Sequence, residues 1–271
     1  MITGTRGGVY SAEISQEAAR IWIERWDAQQ QVSMPDREER FTALIDVVEA
    51  AASGADPLII DLGCGPGSLA VRLLRRLPAA TVVAVDADPL LLALACAAEP
   101  DRAGLRFADL DLRVPGWSSA LGLAGKADAA VSTTALHWLA GPELAAMYAE
   151  LATVLRPGGL LLNGDHLEED EAAAPVLARL GRAIREREDA RQFPDGHAES
   201  WSHWWETVTA DPALAGPAAE RERRRYSADH HGSESRLLAA HVDALRTAGF
   251  TQIGTLWQRG DNRLLCAVLG G

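Results

Sequence analysis

The spacing of apolar positions divides the chain into helix-like and strand-like stretches. Over residues 11–31, Ile14, Ala18, Ile21 and Trp22 recur at helical spacing and predict a helix. Over 36–52, Phe41, Leu44, Ile45 and Val48 share one face and predict a second. Its start carries Asp36, Glu38 and Glu39, where the helix dipole favours negative charge, and Ser53-Gly54 closes it. From residue 58 short, uninterrupted apolar runs alternate with helical patterns. Strands are predicted over 58–62, 81–85, 105–108, 127–132 and 160–163, the last after a turn at Arg156-Pro-Gly-Gly159. Helices are predicted over 68–77, 89–98 and 142–155. Residues 166–235 break this rhythm, with helical stretches at 171–190 and within 200–226 but no clear strand. Order returns with a helix over 235–248, on which Leu238, Val242 and Leu245 align, closed by Gly249-Phe250. Strands over 251–258 and 264–269 flank Arg259-Gly-Asp-Asn-Arg263 and read as an antiparallel hairpin.

Apolar strands without polar alternation belong to a sheet covered on both faces. The pattern therefore predicts an α/β fold with a doubly wound, seven-stranded, mostly parallel sheet and a C-terminal antiparallel hairpin. N-terminal helices precede it and a helical cap is inserted after the fifth strand. The expected organisation is N-terminal helices over 1–53, a nucleotide-binding core over 54–165, a cap over 166–234, and a helix and hairpin over 235–271 that complete the core.

Composition narrows the function classes. A chain of 271 residues can bury one large core plus an accessory region. No apolar run approaches the roughly 20 residues that span a bilayer, so no membrane association is expected. The first ten residues lack the apolar core of a secretory signal. Cys64, Cys96 and Cys266 lie far apart, without the spacing of metal ligands. A cytoplasmic protein with neither disulfide framework nor metal site is expected. A formal net charge of −12 would repel a phosphate backbone, which argues against a nucleic-acid substrate.

The chemistry concentrates at strand ends. Leu58-Ile-Ile-Asp-Leu-Gly-Cys-Gly-Pro-Gly67 reads as a buried strand entering a glycine-rich loop, where Gly63, Gly65 and Gly67 let backbone approach a ligand. Asp61, just before the loop, can orient it or meet a cationic amine. Asp86 ends the second strand and can accept both hydroxyls of a ribose. Asp109, after the third strand, can accept from an adenine amino group, or its neighbour Asp111 can; the Leu110 backbone N–H can meet a ring nitrogen.

Taken together, Asp61–Gly67, Asp86, Asp109, residues 128–137 and Leu155-Arg-Pro-Gly-Gly159 resemble class I S-adenosylmethionine-dependent methyltransferases, in their bacterial small-molecule branch. The resemblance covers 36–165 and the terminal hairpin. It implies S-adenosylmethionine as cofactor, with Gly63, Cys64, Gly65 and Gly67 along its methionine part. Asp86 would lie at the ribose, Asp109 at the adenine, and Ala87 and Leu110 beside the ring. Ser132 or Thr133 would present backbone to the amino acid moiety. It also implies methyl transfer to an O, N or C nucleophile of a small organic molecule, in the manner of bacterial secondary metabolism. Two other readings remain: the same fold repurposed for other chemistry or a regulatory partner role, and a nicotinamide oxidoreductase, which the terminal hairpin opposes.

For the acceptor, His137 in Thr133-Thr-Ala-Leu-His-Trp138 and His166 in Asn163-Gly-Asp-His166 lie at strand ends. Either can be a general base or a loop histidine bonded to its surroundings. The richest segment is Phe193-Pro-Asp-Gly-His-Ala-Glu-Ser-Trp-Ser-His-Trp-Trp205. Trp201, Trp204 and Trp205 either pack the cap or wall the acceptor site. Trp22, Trp26 and Tyr10 belong to helices that close over the cofactor in related proteins, or else staple those helices to the domain, and Trp22 is a candidate substrate contact. His197, His203, His230 and His231 complete a histidine-rich cap without metal-ligand spacing. Arg221-Glu-Arg-Arg-Arg225 reads as a solvated helix face or an anion clamp. The tryptophan-rich cap also offers a surface for a homodimer.

Overall fold

The computed structural model describes residues 14–34, 36–52, 54–192, 199–224 and 234–271. Tyr10, His197, Arg225, His230 and His231 lie outside them.

Five parallel strands form the centre of the sheet: β1 (Leu58–Leu62), β2 (Thr81–Asp86), β3 (Leu105–Asp109), β4 (Ala127–Thr133) and β5 (Leu155–His166). The hairpin β6 (Phe250–Arg259) and β7 (Asn262–Leu269) follows, with β7 antiparallel to both β5 and β6. The spatial order is β3-β2-β1-β4-β5-β7-β6. Chain direction across the sheet reverses between β1 and β4, so their carboxyl ends diverge into a crevice, the usual ligand position in open α/β sheets.

Alternation along each strand explains burial on both faces. Ile60, Leu62, Val83 and Val85 point into one core cluster with Tyr148 and Leu151. Ile59, Val82 and Ala84 point into the other, with Phe41, Leu44, Leu69 and Leu73. The helices between strands are α3 (Ser68–Arg76), α4 (Pro89–Ala98), a short α5 (Trp117–Ala120) absent from the sequence reading, and α6 (Gly141–Val154). The expected turn at 156–159 instead lies within continuous β5, whose pairing with β4 shifts register between Ala127 and Ala129. Gly158 (φ 72°) supplies the conformation that lets the strand pass the shift.

Helix α1 (Gln16–Ser33) is capped by the Ser15 hydroxyl, which accepts from the Ala18 amide; α2 (Arg37–Ala51) follows. After β5 come α7 (Pro175–Gln192), α8 (Trp201–Thr209) and α9 (Ala215–Arg223). A short 3₁₀ turn, Glu234–Arg236, leads into α10 (Leu238–Thr247) and the hairpin. A third apolar cluster joins Ile14 and Ala19 near α1, Leu90, Leu91 and Leu94 of α4, and Trp204 and Val208 of α8. That cluster explains why α4 is apolar almost all round: the sheet covers one side and α1, α8 and α9 the other.

Candidate functional site

A cavity of about 710 Å³ opens at the carboxyl ends of β1, β2 and β4. Its floor is the loop after β1. Gly63, Gly65 and Gly67 have φ of 69°, 54° and 86°, a region other residues enter only with strain. A Cβ on Gly63 would stand 2.3 Å from that of Ala135, so the β1 and β4 loops touch through this glycine. A Cβ on Gly65 would meet nothing nearer than Trp26 at 3.9 Å, leaving backbone bare toward the cavity. Gly67 immediately precedes α3 and is not part of the cavity wall, where Gly63, Cys64 and Gly65 are. Thr134, also on the wall, holds φ 50°, which is strained for a β-branched residue.

Two buried carboxylates stand at the strand ends. Asp86 accepts from the Gly65 amide at 2.7 Å and the Asp88 amide at 2.8 Å, pinning the glycine loop to β2. Burial lifts its pKa to about 6 against the pull of those amides. Asp61 is 1 % exposed, and its Oδ2 has no hydrogen-bond partner. Burial, with the charge of Asp86 added, lifts its carboxyl to about 7. An unsatisfied buried carboxylate on a cavity wall suits a cationic ligand group.

Several expected nucleoside contacts are placed differently. Asp109 is off the cavity wall, and Arg224 grips both its oxygens at 2.7 and 2.9 Å. Leu110 and Asp111 do line the cavity. The Leu110 amide is already bonded to the Asp86 carbonyl at 3.0 Å, because the β2–β3 ladder continues one residue past β3. Ser132 is fully buried, its hydroxyl donating to the Leu62 carbonyl at 2.8 Å; Thr133 and Ala87 reach the wall.

At the β4 and β5 ends, His137 and His166 reach the cavity wall, each paired with an aspartate. The Nδ1 of His137 lies 2.9–3.0 Å from both oxygens of Asp165. Burial would raise Asp165, but His137, with Arg40 and His166 nearby, outweighs it and holds the carboxyl at about 2. The carboxylate therefore accepts, and the contact orients the His137 ring with Nδ1 toward Asp165. His166 Nδ1 lies 3.0 Å from Asp261, whose other oxygen takes Arg185. Burial pushes the Asp261 carboxyl up, yet His166 and Arg185 leave it below its ordinary value.

Behind His137 runs a buried chain. The Ser235 hydroxyl donates to the His137 carbonyl at 2.9 Å, and His241 Nε2 donates to the Ser235 carbonyl at 2.8 Å. Tyr148 then donates to His241 Nδ1 at 2.6 Å. The next residue, Arg236, reaches the cavity wall with no ion pair or side-chain hydrogen bond among the described residues.

The tryptophans divide. Trp201 and Trp205 line the cavity. Trp204 is fully buried, edge-on to Trp26 (4.8 Å between ring centres) and Trp22 (6.1 Å). Trp22 is not a wall residue: its indole N–H donates to Asp211 at 2.8 Å, tying α1 to the inserted helices. Trp26, one turn on, takes the wall position. The arginine run divides too. Arg221 bonds Asp88 at 2.6 Å and lies 3.8 Å over the Trp205 ring, Arg224 holds Asp109, and Arg223 points to solvent beside Glu220. Sequence reading placed Trp26 on a helix closing over the cofactor, and missed Asp165, Arg37 and Arg236; only Asp165, within Gly-Asp-His166, carried a local signal.

Among the described residues no group of three or more His, Cys, Asp or Glu is placed to hold a metal ion, and no helix is long and apolar enough to cross a membrane.

A family model described as a methyltransferase domain matches residues 59–159. The trans-aconitate 2-methyltransferase of Azoarcus sp. (strain BH72) is 33% identical over 240 residues, covering 81% of this chain and 90% of that protein. The enzyme of the same name from Methylobacterium nodulans is 30% identical over 180 residues, 63% of this chain and 65% of its own. Among solved structures, magnesium protoporphyrin IX methyltransferase from Synechocystis PCC 6803 with bound SAH aligns with a TM-score of 0.53 at 18% identity, covering 92% of this chain and 94% of that one. Human N-acetylserotonin methyltransferase in complex with SAM aligns at 0.51 and 14%, covering 93% and 57%. At such identities the structural matches speak for the fold alone.

Proposed function

This chain belongs to the class I S-adenosylmethionine-dependent methyltransferases, and on that premise we propose that it methylates a small organic acid. The observation that carries the reading is Arg236: an arginine on the cavity wall, near His137, with no acidic partner among the described residues. A guanidinium in that position suits a carboxylate, which it can grip with two hydrogen bonds. Relatives named for trans-aconitate, an unsaturated tricarboxylic acid, support the same class.

The residues present fit the cofactor. Bare backbone at Gly65 and the unpartnered Oδ2 of Asp61 suit its amino acid end, and Asp86 retains acceptor capacity for a diol. When bound, S-adenosylmethionine supplies a methyl group made electrophilic by its sulfonium. The chain's share is to hold the acceptor oxygen in line behind that methyl. Such alignment is worth roughly 7–11 kcal/mol in favourable cases. A carboxylate is already a nucleophile and needs no base. Trp26, Trp201 and Trp205 give the cavity wall apolar surface, which lessens the solvation that would blunt the carboxylate's reactivity.

The His137–Asp165 pair supports a second reading, in which the acceptor is a hydroxyl or amine and His137 takes its proton. One experiment separates the two. The protein is incubated with methyl-labelled S-adenosylmethionine and three acceptor sets: polycarboxylic acids, phenols and amines. The first reading expects label in base-labile methyl esters, and Arg236→Gln to raise KM for the acid roughly 10–100-fold. Label confined to phenols or amines, with His137→Asn lowering kcat about 10²–10⁴-fold, replaces it with the second.

A further inference from the structure

Three fully buried polar residues have no part in the chemistry above: Tyr148 on α6, Ser235 in the Glu234–Arg236 turn and His241 on α10. Tyr148 belongs to the first apolar cluster, with Leu144, Leu151 and Leu245. Burying a phenol, a hydroxyl and an imidazole there costs desolvation that their hydrogen bonds do little more than offset. What a satisfied buried network supplies is a fixed geometry.

The roles along this network are set by its acceptors. A carbonyl only accepts, so the Ser235 carbonyl, 2.8 Å from His241 Nε2, puts the ring proton on that nitrogen. Burial, the largest influence on His241, holds its pKa below the ordinary value. The ring is therefore neutral, and Nδ1 accepts from the Tyr148 hydroxyl at 2.6 Å. The Ser235 hydroxyl donates to the His137 carbonyl at 2.9 Å, in the loop after β4. From the other side, the Glu168 amide donates to the Arg236 carbonyl at 2.7 Å, and the Leu238 amide donates to the Glu168 carbonyl at 2.9 Å. The turn is thus held at Ser235 by α10 and the His137 loop, and at Arg236 by the segment after β5. From this fixed backbone the Arg236 side chain extends to the cavity wall.

We infer that His241 and Tyr148 are positioning residues for the acceptor: through Ser235 they fix the turn that carries Arg236, and so set the affinity for an acid that neither of them touches. This rests on the acid reading of the cavity and deepens it. The guanidinium is placed by a buried network reaching back to α6, because no side-chain partner among the described residues holds it in the cavity.

The test separates positioning from mere folding. KM and kcat are measured for the best of the polycarboxylic acids above, and S-adenosylhomocysteine affinity by calorimetry, in wild type, His241→Leu, His241→Gln and each combined with Arg236→Gln. Leucine can neither donate to the Ser235 carbonyl nor accept from Tyr148, whereas glutamine can do both. His241→Leu is expected to raise KM for the acid roughly 10-fold, with a smaller change in kcat and little change in S-adenosylhomocysteine affinity. His241→Gln is expected to recover most of that loss. With Arg236→Gln present, His241→Leu is expected to add less than about twofold, because both changes act on one contact. An unchanged KM in His241→Leu, an equal loss of S-adenosylhomocysteine affinity, or full additivity with Arg236→Gln overturns the inference, while acid turnover by the wild type leaves the acid reading standing. Should His241→Leu not fold, Tyr148→Phe, which removes one hydroxyl from the same network, is read on the same criteria with a rise in KM of roughly threefold expected. A wild type that methylates none of the acids overturns the acid reading, and this inference with it.

Discussion

Strand β1 and helix α8 are both buried, by different physical routes. In β1 the sheet is covered on both faces, so every side chain from Ile59 to Leu62 is hidden. In α8 one stripe is hidden: Trp204 and Val208 are fully buried, while Trp201 keeps 37 % of its surface. The first region is fixed by backbone ladders to neighbouring strands. The second has no ladder; it is held by edge-on tryptophans, the Trp22–Asp211 hydrogen bond and the arginine bridges from α9. A region held by side chains alone is expected to open at lower free energy than the sheet beneath it.

Trp204→Ala should have the largest effect, because it empties the centre of the third cluster. We expect about 3–5 kcal/mol lost from the packing of α8. Hydrogen exchange should rise in α1, α4 and α8 while β1, β2 and β4 stay protected. Equal deprotection of the sheet would show the two regions to be one cooperative unit.

Gly63→Ala strikes the other region. It adds a methyl where Ala135 already stands and forces alanine to a positive φ. The loss should be on the order of 3 kcal/mol, read as a lower denaturant midpoint that includes the sheet. A variant as stable as wild type would mean that the β1 and β4 loops part easily.

Binding should depend on pH through Asp61. In the ligand-free protein its carboxyl sits at about 7, above its unfolded value, so much of it is protonated near neutrality. An ammonium beside it favours the ionised form, so ligand binding releases a proton. Affinity for S-adenosylhomocysteine should therefore rise as pH increases from about 5 and level off above about 8. Asp86, at about 6, shares in the lower part of the rise. Asp61→Asn should flatten most of it; a wild-type affinity independent of pH over this range would contradict the charge pairing.

The smallest effect is expected from Arg224→Met, which removes the two arginine hydrogen bonds to Asp109. Both partners are about a third exposed, so stability should change by no more than roughly 1 kcal/mol, and less in high salt. A larger loss would make the α9 bridges a principal fastening of the inserted helices.

The β1–β5 core was legible because its signals are local. A mostly apolar run bounded by glycine reads as a strand, and the helix expected over 89–98 forms, its first turn capped by Asp88, which accepts from the Leu90 and Leu91 amides. The cofactor edge was legible in part. Asp61, Gly63, Gly65, Asp86 and Thr133 face one cavity, whereas Asp109, Ser132 and Trp22 do not. Spacing along the chain placed these residues at strand ends, but could not tell which way each side chain turns or which partner competes for it. Arg224 captures Asp109 from 115 positions away.

The sequence by itself determined the order of strands and helices, the glycine loop and the carboxylates near it, because each depends on neighbours within a few residues. Only the tertiary structure decided that His137 is oriented by Asp165, His166 by Asp261 and Arg37 by Asp27. It alone separated the buried Trp204 from the wall residues Trp201 and Trp205. Those outcomes depend on which surfaces meet when distant segments pack, and desolvation and pairing act on that meeting rather than on the local order of residues.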